Sequence, residues 1–240
     1  PLVITIDTLS PQRPTIDLLG VDDSGASDLD NVTRQADPVP LTITAEPGSR
    51  VFVKDGETVI DDFEMVGASM LFNHSFGDGE YKLSVESFDA AGNRSAQSEV
   101  LSLVIDRQAP AAPTAVDLLQ SSDTFDNVAG LSGPRGTNSD DITRLSQPAL
   151  FGLAEANAKV RVYANGALVG QGVVGSDESD TSLGGAIDDN IGIWEITTEP
   201  LADGVYAITV ELEDLAGNTT LSQTLLTITI DTLSPQRPTI

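Results

Sequence analysis

The stretch LVITIDTLSPQRPTI at residues 2–16 returns at residues 226–240 as LTITIDTLSPQRPTI, differing only where Val3 is matched by Thr227. A diverged third copy, SLVIDRQAPAAPT, occupies residues 102–114. Across the three, Asp7 aligns with Asp106 and Asp231, Pro11 with Pro110 and Pro235, and Pro14 with Pro113 and Pro238. Such recurrence is read before any local pattern, because it fixes the number of structural units. The aligned aspartates stand 99 and 125 residues apart, so two units of β-sandwich size lie between three linkers. The boundaries that follow are 1–10 for the end of a preceding repeat and its linker, 11–106 for a first module, 107–231 for a second, and 232–240 for the start of the next repeat.

Other landmarks keep the register inside the modules. Asp78-Gly79-Glu80-Tyr81 returns 125 residues on as Asp203-Gly204-Val205-Tyr206, and Asp89-Ala90-Ala91-Gly92-Asn93 as Asp214-Leu215-Ala216-Gly217-Asn218. Ala45-Glu46 returns as Ala154-Glu155, and Asp30-Asn31-Val32-Thr33 as Asp140-Asp141-Ile142-Thr143. Tyr206, Ile208, Val210 and Leu212 alternate with Ala207, Thr209, Glu211 and Glu213, which puts the apolar set on one face of a strand. Tyr81, Leu83 and Val85 alternate in the same way with Lys82, Ser84 and Glu86. Val51 and Val53 match Val160 and Val162, and each pair leads into a turn dipeptide, Asp55-Gly56 or Asn165-Gly166. No window carries a helical apolar stripe, so the fold predicted is all-β: two tandem immunoglobulin-like β-sandwiches joined end to end by short Pro-containing linkers.

Charge narrows the function. With 37 acidic residues against 12 basic, the formal net charge is −25, which would be repelled by nucleic acid. The absence of Cys removes disulfides, thiolate metal sites and a Cys nucleophile. Apolar runs fall far short of the ~20 residues a membrane helix needs. No charged n-region followed by an apolar h-region opens the chain, so no secretion signal is expected within it.

An immunoglobulin-like strand order puts the B–C corner (Ala45-Glu46-Pro47-Gly48, Ala154-Glu155-Ala156-Asn157) and the F–G corner (the Asp-x-x-Gly-Asn segments) at the end where the preceding linker enters. Asp7, Glu46 and Asp89 then converge at the first junction, Asp106, Glu155 and Asp214 at the second, and Asp231 begins a third. Three carboxylates with no Lys or Arg beside them in the motifs repel unless a cation sits among them. Hard oxygen ligands without His or Cys point to Ca²⁺ rather than Zn²⁺ or copper, and a multi-carboxylate cage suits Ca²⁺ better than Mg²⁺. The plainer reading is that each acid caps a turn. A second acidic group follows the first strand of each module: Asp22, Asp23, Asp28 and Asp30 in one, and Asp123, Asp140 and Asp141 in the other, with Asp126 and Asn127 between. Its Asp, Ser, Asn and Gly density suits a loop folded round Ca²⁺, though not an EF-hand, and a solvated loop of Asx-turns explains it nearly as well.

These residues carry a resemblance. The run Ile-Asp-Thr-x-x-Pro-x-x-Pro, the Asp-x-x-Gly-Asn corner and the loop ending in Asp-Asn-x-Thr resemble the tandem bacterial immunoglobulin-like extender modules of giant repeats-in-toxin (RTX) adhesins and biofilm-associated proteins. Gly192-Ile193-Trp194 is similar to that family's Gly-x-Trp strand; the first module has no Trp and carries Met70-Leu71-Phe72 in the corresponding region. The resemblance implies modules strung between a membrane-proximal anchor and distal ligand-binding domains, with Ca²⁺ at the junctions stiffening the string. The implied role is a non-catalytic extender of an extracellular, bacterial cell-surface adhesin acting in adhesion and biofilm formation. The partners expected are neighbouring repeats of the same chain, with no nucleic acid, membrane insertion or small-molecule substrate, and the chain itself a monomer.

Enzyme readings find little support. His74, the single His, neighbours Phe72 and Phe76 on an expected strand and has no counterpart in the second module. Paired carboxylates would permit glycosidase chemistry, but one Trp and three Tyr supply few sugar-stacking rings. The alternative function is recognition of a glycan or protein through the long loops of the second module, including the insert at 176–190.

Overall fold

A computed structural model describes residues 2–25, 27–124, 140–175, 190–223, 225–234 and 236. The chain divides into two compact units, Pro1–Gln108 and Ala109–Ile240. Among the described residues there is no helix, so none is long and apolar enough to cross a membrane.

Unit 1 is a pair of sheets. β1 (Thr15–Leu18), β3 (Val39–Thr44) and β6 (Ser69–His74) form the first, in the order β1-β3-β6. The second has the order β2-β8-β7-β4-β5, from β2 (Val32–Thr33), β4 (Arg50–Asp55), β5 (Thr58–Glu64), β7 (Gly79–Phe88) and β8 (Leu101–Ile105). Alternation decides which side chains meet: Val39, Leu41 and Ile43 of β3 are fully buried, as are Val51 and Val53 of β4, and they share one core with Leu83, Val85, Leu103 and Phe72.

Unit 2 repeats the plan. β9 (Thr114–Leu118), β11 (Ala149–Glu155) and β14 (Ile191–Thr197) form one sheet. Facing it run β10 (Ile142–Thr143), β17 (Leu226–Ile230), β15 (Gly204–Glu213), β12 (Lys159–Ala164) and β13 (Ala167–Val173), with β16 (Thr219–Leu221) paired to β15. Leu150, Val160, Val162, Ile208, Val210, Leu212, Ile228 and Ile230 fill its core beside Trp194.

Two details correct the sequence reading. On β7 the one-sided pattern fails, because Ser84, Glu86 and Ser87 are buried as well as Leu83 and Val85. Residues 94–98 explain much of it: Ser98 Oγ accepts from Val85 N–H, Ser95 Oγ accepts from Ser87 N–H, and Gln97 donates to Ser84 Oγ. Two serine hydroxyls thus stand where strand carbonyls would, and Ser222 Oγ does the same for Val210 N–H in unit 2. The second correction is a turn. Asn165 and Gly166, both at positive φ, connect β12 to β13 as expected, but in unit 1 Asp55 pairs with Thr58, so the turn residues are Gly56 (φ 56°) and Glu57.

Candidate functional site

The three linker aspartates share one local geometry. Oδ1 of Asp7 accepts from the Leu9 N–H, Oδ1 of Asp106 from Gln108 and Oδ1 of Asp231 from Leu233, at 2.9–3.0 Å. An Asx-turn of this kind uses one carboxylate oxygen to set the chain's direction, at Asp106 and Asp231 where it leaves β8 and β17. Arg107, next to Asp106, is drawn back into unit 1, where it pairs with Asp78 at 2.8 Å and donates to the carbonyls of Gln35 and Phe76.

The Asp-x-x-Gly-Asn corners are also built alike. Asp89 Oδ1 accepts from Ala91 and Asn93 N–H, while its Oδ2 accepts from Asn93 Nδ2. Asp214 binds Asn218 N–H and Nδ2 in the same way, at 2.9 Å each. Gly92 and Gly217 adopt φ of 87° and 88°, the left-handed region that glycine tolerates best. The Asn93 side-chain hydrogen bond, together with backbone donors, holds the Asp89 pKa below the ordinary carboxylate value. In unit 1 the corner also reaches the linker, because Asn93 Nδ2 donates to the carbonyl oxygen of Asp7 at 3.1 Å.

Glu46 sits where the B–C corner was expected, its carbonyl accepting from Ser49 N–H and Oγ. It lines a surface groove of about 380 Å³ that Gln12 and Arg13 also line. The expectation of corners free of basic neighbours is therefore corrected in unit 1: Arg13 stands there, paired with Glu99 at 2.6 Å. Glu155 ends β11, and its carbonyl accepts from Ala158 N–H. Asp106 belongs to unit 1, and Glu155 and Asp214 to unit 2.

The acidic loops after β1 and β9 have a common frame. Asp22 and Asp23 N–H both donate to the Leu19 carbonyl, as Ser122 and Asp123 N–H do to that of Leu119. Ser24 Oγ accepts from Arg34 N–H and Thr124 Oγ1 from Arg144 N–H. Asp30 Oδ1 accepts from Val32 N–H and Asp140 Oδ1 from Ile142 N–H. Asn31 (φ 57°) and Asp141 (φ 59°) occupy equivalent positions. Asp28 is exposed, and Asp126 and Asn127, like most of the 176–190 insert, lie outside the described residues.

The frame encloses one buried acid in each unit. Asp23 is 7% exposed and Asp123 3%, and Oδ1 of each is sealed from solvent without a hydrogen-bond partner. Burial raises the pKa of Asp23, and the Asp30 charge adds to the rise. Burial raises Asp123 likewise, with the Asp140 and Asp117 charges adding. Asp141 is pushed up to about 6, first by burial and then by its hydrogen bond to Asp117 and the charges of Asp117, Asp123 and Asp140. Unit 2 thus draws four carboxylates into mutual repulsion. Asp117 is absent from the sequence-based set because it reads as an ordinary strand residue; its repetition as Asp17-Leu18-Leu19 and Asp117-Leu118-Leu119 was the available signal. Among the described residues no group of three or more acidic or His side chains stands in metal-holding geometry as it is.

Two sandwiches with Asp-x-x-Gly-Asn corners and repeated linkers define an immunoglobulin-like tandem. Residues 8–107 and 129–232 each match the bacterial Ig-like domain family, and the chain belongs to that family. No curated protein matches it. Among solved structures it is similar to fibronectin(III)-like modules of Clostridium thermocellum CbhA (15% identity, 95% of this chain and 100% of that one, TM-score 0.43). It is also similar to a tetra-tandem repeat in the extending region of a large adhesion protein (20% identity, 92% of this chain and 50% of that one, TM-score 0.33).

Proposed function

We propose that this chain is a structural extender from a large bacterial cell-surface adhesin, two modules of a longer array that projects distal binding domains for adhesion and biofilm formation. Tandem membership of one Ig-like family supports this reading, with each module bounded by the same Asp-and-Pro linker. The observation that carries it is the Asn93 side chain, which joins the Asp7 carbonyl of the linker to the Asp89 carboxylate of the corner. A Ca²⁺ ion held by linker and corner acids, Asp7 with Glu46 and Asp89 and Asp106 with Glu155 and Asp214, converts such a hinge into a fixed angle; Asp231 opens a further junction of the same kind. The linker prolines restrict φ and favour extended backbone. Extracellular calcium modules bind with Kd of about 10⁻⁴–10⁻³ M, so the ion is lost in the cytosol and gained outside. The role is non-catalytic: His74, the single His, is stacked on Phe72 and tilted against Phe76.

Small-angle scattering of the chain in Ca²⁺ and in chelator tests the reading. The Ca²⁺ form is expected to be longer and narrower in its distance distribution. Identical profiles in both conditions would overturn it.

A further inference from the structure

We propose that the place of β17 in unit 2 is an interaction surface for a second copy of this chain, which fills it with residues 2–6 in exchange for the resident strand. Neither the extender role nor a bound ion is needed for such an exchange.

β17 lies between β15, its antiparallel neighbour, and β10, its parallel one. Ile228 and Ile230 are fully buried in the core with Leu226 packed against it, while Thr227 is exposed opposite Ala207. Only the inward set of a strand meets the core, so a strand with the same inward set and register fills the same place. Residues 2–6 have that set. Leu2, Ile4 and Ile6 repeat Leu226, Ile228 and Ile230, Thr5 repeats Thr229, and the single difference, Val3 for Thr227, falls on the exposed position. The likeness continues past the strand. Thr232 Oγ1 donates to Asp203 Oδ1 at 2.8 Å, and Thr8 repeats that residue. Asp231 Oδ1 accepts from Leu233 N–H as Asp7 Oδ1 does from Leu9 N–H, so the exit turn is already made in the donor. Residues 2–6 form no strand in this chain, and Leu2, Val3, Ile4 and Ile6 are exposed.

Unit 1 does not offer the same place. There β8 runs Leu101-Ser102-Leu103-Val104-Ile105, and Leu103 is fully buried where the donor would bring Ile4. Ile branches one carbon nearer the backbone than Leu, and a close-packed core registers that change of shape. The surface is therefore selective between the two sandwiches of one chain. Exchange replaces contacts by their equals, so its extent follows concentration. A strand tethered by a short link competes at an effective concentration on the order of millimolar, and a second copy enters where chains are crowded or fold together. Swapping an identical element between copies is a low-cost route to association. Each copy carries one donor segment and one such place, and the displaced β17 becomes a donor in turn, so copies join head to tail.

Co-refolding from urea at high protein concentration tests this with two variants of the full chain, a donor Val3→Cys and an acceptor Ala207→Cys, bridged by a short bismaleimide; the chain has no other Cys. In the exchanged strand Val3 faces Ala207, as Thr227 does in the resident one. A double variant, Ala207→Cys with Thr227→Cys, bridges within one chain and checks that the reagent spans the pair. Donor–acceptor dimers above the statistical yield are expected, with residue 3 bridged to residue 207 by mass spectrometry. With Lys82→Cys as the acceptor, the equivalent position facing Ser102 in unit 1, the yield should fall roughly tenfold, the scale of one misfitted buried side chain. Adding Ile4→Asp to the donor should abolish the bridge. Ile228→Asp in the acceptor weakens the competing strand and leaves the place itself intact, so it should raise the yield even if that acceptor alone loses its fold. Bridging that persists with Ile4→Asp, or is equal at Lys82→Cys, reports collision and overturns the inference. So does a yield that Ile228→Asp lowers, or no bridge between copies when the double variant closes internally.

Discussion

Trp194 lies over Gly152 so closely that a Cβ added at Gly152 would stand 2.6 Å from Trp194 Cζ2. The two residues are direct cross-strand partners between β11 and β14, and at the same register in unit 1 Ile43 faces Met70. A small-and-large pair in one module is thus replaced by two middle-sized side chains in the other, which accounts for the absence of Trp from unit 1 without any change in strand path. Overfilling a packed core costs about 1–3 kcal/mol. Gly152→Ala is expected to destabilise unit 2 by that amount, read in urea by the fluorescence of the only Trp; an unshifted midpoint would contradict the close approach.

Ile4 and Ile228 hold the same place in the repeated LVITID and LTITID runs, yet Ile4 is 73% exposed and Ile228 is fully buried. Large-to-small changes at buried Ile cost about 2–5 kcal/mol. Ile228→Ala should lower the melting temperature of unit 2 sharply, whereas Ile4→Ala should leave the chain's melting profile where it was. Equal effects would mean that the two copies are not in these different environments.

Asp214 is buried and accepts from both amide groups of Asn218, so Asp214→Ala strands donors inside the corner. A loss of about 2 kcal/mol is expected, the cost of leaving a buried donor unsatisfied. Because that loss belongs to the corner itself, it should persist in chelator. A variant as stable as wild type in chelator would assign the Asp214 carboxylate to an ion alone.

Glu86 is held by Lys54 at 2.8 Å and by Arg94. Burial opposes its charge, but the hydrogen bonds and charges of Lys54 and Arg94 prevail and lower its pKa from 4.5. A carboxylate whose folded-state pKa is lowered contributes stability above the unfolded value and loses it as pH falls through the folded one. Glu86→Gln should therefore destabilise unit 1 near pH 7, by up to about 3 kcal/mol as for one broken partner of a buried pair. The gap to wild type should narrow once the pH passes below 4.5. Thermal melts from pH 7 to 3 would show this, and a constant gap would exclude the ion pair as its source.

The sequence made the strands legible because burial on one face leaves a period of two, as along Ile208, Val210 and Leu212. It made the corners legible because Asp89 and Asp214 bind atoms two to four residues away. Glu86 escaped that reading, since its polar side chain is buried by Lys54 and Arg94 from other parts of the chain. Ser98 and Ser222 escaped it too, because a hydroxyl substituting for a strand carbonyl has no periodic signature. The acidic loops were visible as composition, but the distinction between exposed Asp28 and buried Asp23 depends on how the chain closes over the turn.

The short strands β2 and β10 pair parallel with β8 and β17, the last strands of their modules. Tension applied through the two ends of a module pulls the members of such a pair in opposite directions along their common axis. Their hydrogen bonds are then loaded in shear and must fail together, instead of opening one by one as in a peeled hairpin. Resistance to pulling is governed by the rate of unfolding rather than by equilibrium stability. A few bonds, such as Thr229 N–H to the Asp141 carbonyl at 2.8 Å, are therefore placed to act as a mechanical clamp.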